Sequence, residues 1–325
     1  MDGPTIVTLG GGTGSFVLLS GLRHYVRNLS AIVAMSDDGG STGILRDELG
    51  ALPPGDVRQC LVALSRSARL RDLFNYRFDK GSLRGHSFGN LFLSALADVT
   101  GSFEEAVREA ATVLSIEGKV IPVTTHNVRL VATFNDGAEI VGQHNLASSK
   151  LKPGEFWLSL EPQVEVNPRA AEAIRSADMV VVCPGSLYAS VIPHFLVAGM
   201  GDALRHSSAT RVFVAPLMNK AEHTGGFKVH DYVEVVEGYV GAPVFDYVMF
   251  NTTMPPTQVL ERYQEEGEPV GFDHHAMARA HYTPIGGDLL SRNLAEVTKG
   301  DLLRRTLIRH DPDRIARRLM QLYWR

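Results

Sequence analysis

A glycine-rich stretch near the start of the chain has the residue types and spacing that phosphate binding needs. Gly10–Ser15 reads GGGTGS, and it separates a short apolar run, Thr5–Leu9, from a second one, Phe16–Leu19. This pattern indicates a buried strand, a turn and the beginning of a helix. Glycines let backbone N–H groups approach a phosphate closely, and the helix dipole favours its negative charge. The sequence therefore predicts a phosphate-binding loop that comprises Gly11, Gly12, Thr13 and Gly14.

Two known phosphate-binding fingerprints fit this loop only in part. The dinucleotide fingerprint G-x-G-x-x-G has Ser15 at its third glycine position in this chain. A P-loop needs a lysine after the glycines, and none follows here. Nucleotide binding is the first hypothesis, and a tight turn without a ligand is the alternative. An NAD-dependent dehydrogenase has no support beyond the loop.

Two adjacent carboxylates follow the second predicted strand. Ala31–Met35 is an apolar run, and Asp37 and Asp38 come almost directly after it. A carboxylate at this place usually holds a ribose hydroxyl, and Mg²⁺ prefers carboxylate and phosphate oxygens. Adjacent side chains on an extended segment point to opposite sides, so one of the two is expected to face a ligand. Asp37 or Asp38 is therefore the predicted Mg²⁺ ligand, and a cap or turn role is the alternative.

Polar residues also follow the later predicted strands. Met179–Cys183, Arg211–Pro216 and Tyr247–Asn251 read as buried strands; Ser186 and Asn219 follow the first two, and two threonines follow the third. Open parallel sheets bind ligands at the carboxyl ends of their strands. One crevice lined by all of these segments is therefore predicted, with the Ser186 hydroxyl in a phosphate-binding turn. The flanking sequence PGSLY does not match the G-x-S-x-G pattern of a nucleophilic serine.

A second polar cluster opens a predicted buried helix. His86 and Asn90 lie directly before the apolar run Leu91–Leu96. Polar groups at the mouth of a helix can bind a phosphate or donate a proton. The alternative is a histidine that only caps the helix. The spacing of the other histidines does not match that of metal ligands.

These residues need a framework of strands and helices. Strand and helix patterns alternate over most of the chain, which predicts an α/β, Rossmann-like three-layer fold with a mostly parallel sheet. A capping box at Ser102–Glu105 and the pair Asn167-Pro168 each start a helix. Ser41–Asp56 is rich in glycine and proline and has no regular element assigned. Strands and a hairpin turn predict a small antiparallel β insertion at about 120–146, within a single domain that covers 1–325.

Composition excludes several functional classes. The 325 residues carry a net charge of −4 with acids and bases interspersed, whereas a nucleic-acid-binding protein needs a clustered basic face. Cys60 and Cys183 lie in apolar runs, as free cysteines do in a reducing compartment. The residues before the glycine loop lack an apolar region long enough for a signal peptide, so none is expected, and no apolar run reaches the roughly 18 residues of a membrane span. The sequence therefore predicts a cytoplasmic protein without a membrane span or a nucleic-acid partner.

Six short motifs together resemble one known family. They are GGGTG at 10–14, MSDDGGS at 35–41, PPGDVR at 53–58, GHSFGNL at 85–91, PGSLY at 184–188 and PLMN at 216–219. The chain resembles the YvcK-type gluconeogenesis factors, the uridylate-sugar-binding branch of the CofD-like superfamily. The motifs occur in the family's order, and the resemblance extends over most of the chain.

The resemblance implies a Rossmann-like protein that binds a nucleotide-sugar such as UDP-N-acetylglucosamine. It implies a regulator without an assigned catalytic residue, linked to cell-wall precursor metabolism, cell shape and gluconeogenic growth. The implied partners are the UDP-sugar and a protein of cell-wall or central carbon metabolism, and a homo-oligomer is left open. The alternative is the activity of the CofD branch, a Mg²⁺-dependent phospholactyl transfer to a deazaflavin acceptor.

Two further residues and two departures come with the resemblance. It implies that Tyr263 stacks on uracil and that Arg309 pairs with the pyrophosphate; a helix-face aromatic and a surface arginine are the alternatives. Gly39–Arg46 follows the YvcK pattern rather than that of the transferases. Lys220–Gly225 departs from the Gly-Glu-Thr segment common in the family, so no role is assigned within it. Segment 39–56 is expected to move on ligand binding and so to alter the affinity for a partner.

Overall fold

One seven-stranded parallel sheet forms the centre of the molecule. The computed structural model describes residues 3–263, 266–292 and 308–324. The strands of both sheets of the molecule are β1 (Thr5–Gly10), β2 (Asn28–Val33), β3 (Lys119–Pro122), β4 (Arg129–Phe134), β5 (Glu139–Val141), β6 (Phe156–Glu161), β7 (Met179–Val182), β8 (Thr210–Val214), β9 (Tyr247–Asn251) and β10 (Thr283–Gly287). The large sheet has the order β10-β9-β8-β7-β1-β2-β3, and its neighbouring strands are parallel.

Helices connect and cover these strands. They are α1 (Gly12–Leu22), α2 (Gly40–Leu49), α3 (Pro54–Leu64), α4 (Ala68–Asn75), α5 (Phe88–Thr100), α6 (Phe103–Val113), α7 (Gln143–Ala147), α8 (Pro168–Arg175), α9 (Ile192–Phe195), α10 (Met200–Arg205), α11 (Ala221–Thr224), α12 (Val229–Val240), α13 (Thr257–Leu260), α14 (His274–Ala278) and α15 (Pro312–Tyr323). A π-helical turn, Leu187–Val191, precedes α9, and a 3₁₀ turn, Glu261–Tyr263, follows α13. Helix α1 packs against α3 and α15, while α10 packs against α8 and α12. Among the described residues, no helix is both long enough and apolar enough to span a membrane.

The central strands explain why the chain adopts this fold. Every residue of β7 is buried, and so are Ile6, Val7 and Leu9 of β1. Parallel strands with helices on both faces are near-continuous runs of apolar, often β-branched residues. The predicted three-layer α/β fold is confirmed. β1 pairs with β2 on one side and with β7 on the other, so the strand order changes direction here. Ligands of open α/β sheets bind at such a switch point.

The small antiparallel sheet has different bounds from the predicted insertion at about 120–146. It contains β5, β4 and β6 in that order. β3 belongs instead to the large sheet, because Val120 and Ile121 are buried where β3 pairs with β2. β6 has no counterpart among the predicted elements, since its alternation of apolar and polar residues is short. The predicted hairpin turn lies between β4 and β5, where Gly137 has a φ of +85°.

Segment 41–56 is more regular than the sequence predicts. Helix α2 occupies most of it, and α3 begins at Pro54. Two glycines of this segment are required by the geometry of α2 and do not disrupt the helix. Gly50 adopts the left-handed conformation that ends α2. Gly43 lies so close to the preceding loop that an added Cβ would be 2.2 Å from the Asp38 carbonyl oxygen. The sequence patterns assigned no element to this segment, and α2 is a helix that they did not indicate.

Candidate functional site

A cavity of about 400 Å³ lies at the carboxyl end of the large sheet. Four of the five segments predicted to form one crevice line it, because they follow the neighbouring strands β1, β2, β7 and β8. The segment after β9, Asn251–Thr253, lines an adjoining cavity of about 180 Å³ instead. The two cavities share the walls formed by Pro216 and Leu217. Among the residues that line the larger cavity are Gly11, Gly12, Thr13, Gly14, Asp37, Ser41, Asp56, Arg58, Arg77, Asn90, Ser186, Lys220, His223, Arg309 and His310.

Several helices begin at this cavity. The first turns of α1, α2 and α3 contribute Gly12–Gly14, Gly40–Thr42 and Gly55-Asp56, and the first turn of α5 contributes Asn90. The first N–H groups of a helix have no partner within the helix, and the helix dipole makes this end positive. The N-caps of α1 and α2 are glycines, which supply no side-chain acceptor. The N–H groups of α1 and α2 are therefore suited to an anionic ligand.

The charges of the lining favour the same kind of ligand. Among the described residues, four cations line the cavity against two carboxylates, an excess of two positive charges in a protein whose net charge is −4. A concave site with one prevailing sign of charge attracts ligands of the opposite sign. The cations are Arg58, Arg77, Lys220 and Arg309, and the carboxylates are Asp37 and Asp56.

Asp37 and Asp38 point in different directions, as expected for adjacent side chains. Asp37 lines the cavity, and its Oδ1 accepts the Gly39 N–H at 3.0 Å. Burial raises the pKa of the Asp37 carboxyl, against hydrogen bonds from Gly39 and Thr42 that lower it. Asp38 instead accepts the His144 N–H at 2.7 Å, at the start of α7. Of this pair, Asp37 is the carboxylate that a ligand or metal ion in the cavity would meet.

Asp56 is a lining carboxylate to which the sequence analysis assigns no role. It lies in the first turn of α3, and its carboxylate approaches the glycine loop. A Cβ added to Gly11 would be 2.0 Å from Asp56 Oδ2. An acid in the first turn of a helix is common because it complements the dipole, so the motif PPGDVR alone gave no functional signal.

Asp37 and Asp56 together fit a Mg²⁺ ion of a particular kind. Among the described residues, no cluster of three or more His, Cys, Asp or Glu side chains could hold a metal by itself. Mg²⁺ is commonly bound through one or two carboxylates together with phosphate oxygens of a ligand. The donor set of this cavity suits an ion that binds jointly with a phosphate.

Four other predicted residues lie at or directly behind the cavity wall. Ser186 and Arg309 line it, and Ser186 is the N-cap of the π-helical turn. Asn90 also lines it, and its Oδ1 accepts the Arg58 Nε–H at 2.9 Å. His86 lies behind this wall, with its Nδ1 3.0 Å from Ser41 Oγ.

Asn219 and Tyr263 are buried outside the lining residues. The Asn219 amide donates to the Phe227 carbonyl and to Glu268, and its Oδ1 accepts the Tyr232 hydroxyl at 2.7 Å. It therefore orients Tyr232, which does line the cavity. Tyr263 packs in an apolar cluster whose members are Leu217, Val259, Leu290 and Ile308. Two of them, Leu217 and Ile308, form part of the cavity wall.

Two buried histidines line the cavity in addition to the predicted residues. His223 lies in the segment that departs from the family pattern, and its Nε2 is 3.0 Å from the Ser149 carbonyl oxygen. Burial lowers the pKa of His223, and nearby Lys220 lowers it further. Burial also lowers the pKa of His310, to about 4. Both imidazoles therefore favour the neutral form. The sequence did not single them out, because their spacing is not that of metal ligands.

Comparison with known proteins identifies the family. A family model described as 2-phospho-L-lactate transferase CofD matches residues 6–290. The chain belongs to the CofD family. A relative from Nostoc sp. is 40 % identical over 325 residues, which cover 99 % of this chain and 69 % of that protein. The gluconeogenesis factor of Bacillus subtilis is 35 % identical over 322 residues, 98 % of each protein. The predicted resemblance to the gluconeogenesis factors of the CofD family is confirmed.

A solved structure supports the same assignment. The crystal structure of a UPF0052 family member from Bacillus halodurans has a TM-score of 0.89 to this chain. It is 32 % identical and covers 98 % of this chain and 99 % of that chain. This CofD-family protein therefore shares its fold with the Bacillus halodurans protein along nearly its whole length.

His310 gives this CofD-family protein an expected pH dependence. Its pKa falls from an ordinary 6.5 to about 4 on folding, so the unfolded chain binds more protons between these values. Stability is therefore fully present above about pH 6.5 and is lost as the pH falls towards 4, by up to about 3 kcal/mol. His310→Gln cannot titrate, so we expect a smaller loss. Urea unfolding near pH 7 and near pH 5 measures both; equal losses in the two proteins would contradict this role.

Proposed function

We propose that this protein is a cytoplasmic regulator that binds a nucleotide-sugar of the UDP-N-acetylglucosamine type. Its binding would connect the protein to cell-wall precursor metabolism, cell shape and gluconeogenic growth. One observation carries the ligand class: helix N-termini and an excess of positive charge meet at one cavity at the switch point of the sheet. The cavity volume of about 400 Å³ also lies in the range of small-molecule sites.

In this proposal each part of the cavity has its own role. The N–H groups of Gly11–Gly14 hold the diphosphate, and Arg309 pairs with it. Asp37 accepts a ribose hydroxyl or, with Asp56, contacts a Mg²⁺ ion that would neutralise phosphate charge. Ser186 and Asn90 donate hydrogen bonds to the sugar or phosphate.

A CofD-like phospholactyl transferase is the second candidate. The adjoining cavity of about 180 Å³ favours it, because a transferase needs room for an acceptor beside the donor nucleotide. Its apolar walls include Leu217, Phe250 and Phe272. The family model that matches this chain bears the name of such a transferase.

The regulatory part of the proposal concerns α2 and α3. Gly39–Thr42 and Gly55-Asp56 line the cavity at the starts of these helices. A ligand that contacts both starts is expected to stabilise segment 39–56 and so to alter the surface offered to a partner. Limited proteolysis checks this. Equally fast cleavage within 39–56 with and without saturating ligand would contradict the regulatory role.

A ligand panel tests the proposed function. Thermal unfolding and titration calorimetry are measured with UDP-N-acetylglucosamine, UDP-glucose, GDP, GTP and NAD, each with and without Mg²⁺. A ligand at a hundred times its Kd should add about 2.7 kcal/mol of stability. A response confined to UDP-sugars supports the proposal. A Mg²⁺-dependent response to guanine nucleotides alone favours the transferase, and a response to NAD alone contradicts both.

A pair of lysine variants sharpens this panel. Lys220 lines the cavity, whereas Lys228 lies outside the lining residues and pairs with Asp273 at 3.2 Å. We expect Lys220→Gln to weaken binding of the UDP-sugar and Lys228→Gln to leave it unchanged. Equal affinities of the two variants would place the ligand elsewhere on the protein.

A further inference from the structure

A chain of buried hydrogen bonds ends at a hydroxyl in the cavity wall. The Arg58 Nε–H donates to Asn90 Oδ1 at 2.9 Å, and Asn90 Nδ2 donates to Ser41 Oγ at 3.2 Å. The Nδ1 of His86 lies 3.0 Å from the same Ser41 oxygen. These four side chains belong to residues that are at most 8 % exposed. Ser41, which had no role in the sequence analysis, lines the cavity together with Asn90 and Arg58.

The direction of these hydrogen bonds follows from the chemistry of the groups. A guanidinium can only donate, so the oxygen of the Asn90 amide faces Arg58 and its NH₂ group faces Ser41. The Ser41 oxygen therefore accepts a hydrogen bond from Asn90. One hydrogen and one lone pair of the Ser41 hydroxyl are left for His86 and for a ligand.

The protonation of His86 Nδ1 determines whether the ligand meets the hydrogen or the lone pair of the Ser41 hydroxyl. When Nδ1 carries no hydrogen, it accepts the Ser41 hydrogen, and the hydroxyl can offer a ligand only a lone pair. When Nδ1 carries a hydrogen, it donates to Ser41, and the Ser41 hydrogen is free to donate into the cavity. The kind of ligand atom that Ser41 can bind therefore depends on whether His86 Nδ1 carries a hydrogen.

The surroundings of Ser41 indicate the ligand atom. Ser41 lies in the first turn of α2, where the first backbone N–H groups of a helix have no partner within it, although the Thr42 N–H donates to the Gly39 carbonyl at 3.1 Å. The described residues of the lining carry an excess of positive charge. An atom that meets both the N–H groups and the hydroxyl must accept hydrogen bonds from all of them, as an anionic phosphate oxygen does.

We propose that Ser41 donates its hydrogen to a phosphate oxygen of the ligand while Nδ1 of His86 donates to Ser41. This inference rests on the proposed function, because it needs a ligand with a phosphate. His86 and Arg58 are positioning residues: His86 contacts Ser41 directly, and Arg58 acts through Asn90. Asn90 orients Ser41 with one hydrogen of its NH₂ group and keeps the other for the ligand. Ser41 thereby selects for an anionic oxygen over a donor group at this place in the cavity.

Two variants and one spectroscopic signal test the proposal. Titration calorimetry with UDP-N-acetylglucosamine and with inorganic pyrophosphate compares the whole chain with Ser41→Ala. Hydrogen bonds to charged groups are the stronger ones, so we expect at least a roughly tenfold loss of affinity. Ser94→Ala is the matched control, since Ser94 is a buried serine outside the lining residues. It should bind as tightly as the unaltered protein.

The ¹⁵N NMR signal of His86 Nδ1 separates positioning from a merely structural role. We expect added ligand to move this signal to that of a nitrogen bearing hydrogen, and Ser41→Ala to abolish the shift. Unchanged affinity of Ser41→Ala, or a bound-state Nδ1 without hydrogen, would overturn the inference and leave the proposed function standing. If the unaltered protein binds neither probe, the proposed function and this inference both fail.

Discussion

Gly14→Ala is expected to cost about 3 kcal/mol or more of unfolding free energy and to abolish ligand binding. An added Cβ would lie 1.6 Å from the Pro184 carbonyl oxygen, which is backbone rather than a flexible side chain. Neither backbone can move freely, because β1 and β7 pair in register up to Leu9 and Val182, directly before these loops. Urea unfolding and calorimetry with the UDP-sugar measure the two losses.

A second glycine provides the control for this expectation. Gly238 lies inside α12, and an added Cβ would meet nothing within 4 Å. Alanine has the higher helix propensity, so Gly238→Ala should raise stability by up to about 1 kcal/mol. Similar effects of the two substitutions would contradict the close approach of the β1 and β7 loops.

Asp37→Asn is expected to have opposite effects on binding and on stability. It removes the carboxylate that faces the cavity, so the Mg²⁺-dependent part of the affinity should fall by roughly tenfold or more. Burial raises the pKa of Asp37, so the folded protein binds more protons than the unfolded chain between the ordinary and the raised value. Stability therefore falls as the pH rises through that window, and the uncharged asparagine should be more stable at neutral pH.

Asp38→Asn is the matched control. Its carboxylate caps the start of α7 through the His144 N–H rather than facing the cavity. The asparagine oxygen can still accept this N–H, so we expect little change in stability and unchanged ligand affinity. Calorimetry with and without Mg²⁺, together with urea unfolding, measures both variants. If Asp38→Asn weakens Mg²⁺-dependent binding and Asp37→Asn does not, the assignment of the two carboxylates is wrong.

Local sequence patterns were enough to predict the frame of the site. The strand before the glycine loop and the strands at Met179–Val182 and Tyr247–Asn251 are short apolar runs bounded by turn residues, and such runs carry their own signal. Parallel pairing alone places the carboxyl ends of these strands, and the polar residues that follow them, at the same edge of the sheet. For this reason Gly11–Gly14, Ser186 and one of Asp37 and Asp38 could be placed near one another from the sequence.

Residues whose place depends on distant contacts were harder to predict. Asp56 reads as an ordinary acid of a helix start, and only the approach of α3 to the glycine loop brings it to the cavity. His223 and His310 are far apart in the sequence and form no recognisable motif, because two separate segments of the chain contribute them to the cavity wall. Asn219 follows β8 as predicted, but its side-chain amide forms hydrogen bonds with Phe227, Glu268 and Tyr232 instead of lining the cavity. A motif identifies such a residue without telling which way its side chain turns.

The order of the strands also bears on how the protein is made. β1 is synthesised early, yet its partner β7 follows only after the whole of β2 to β6, as the pairing of Ile6 with Met179 illustrates. The cavity wall is completed later still, by Arg309 and His310. A chain that emerges from the ribosome with its first residues leading therefore carries the glycine loop long before it can use it. A ligand that pairs with Arg309, as proposed, can therefore stabilise a chain only after synthesis has passed this residue.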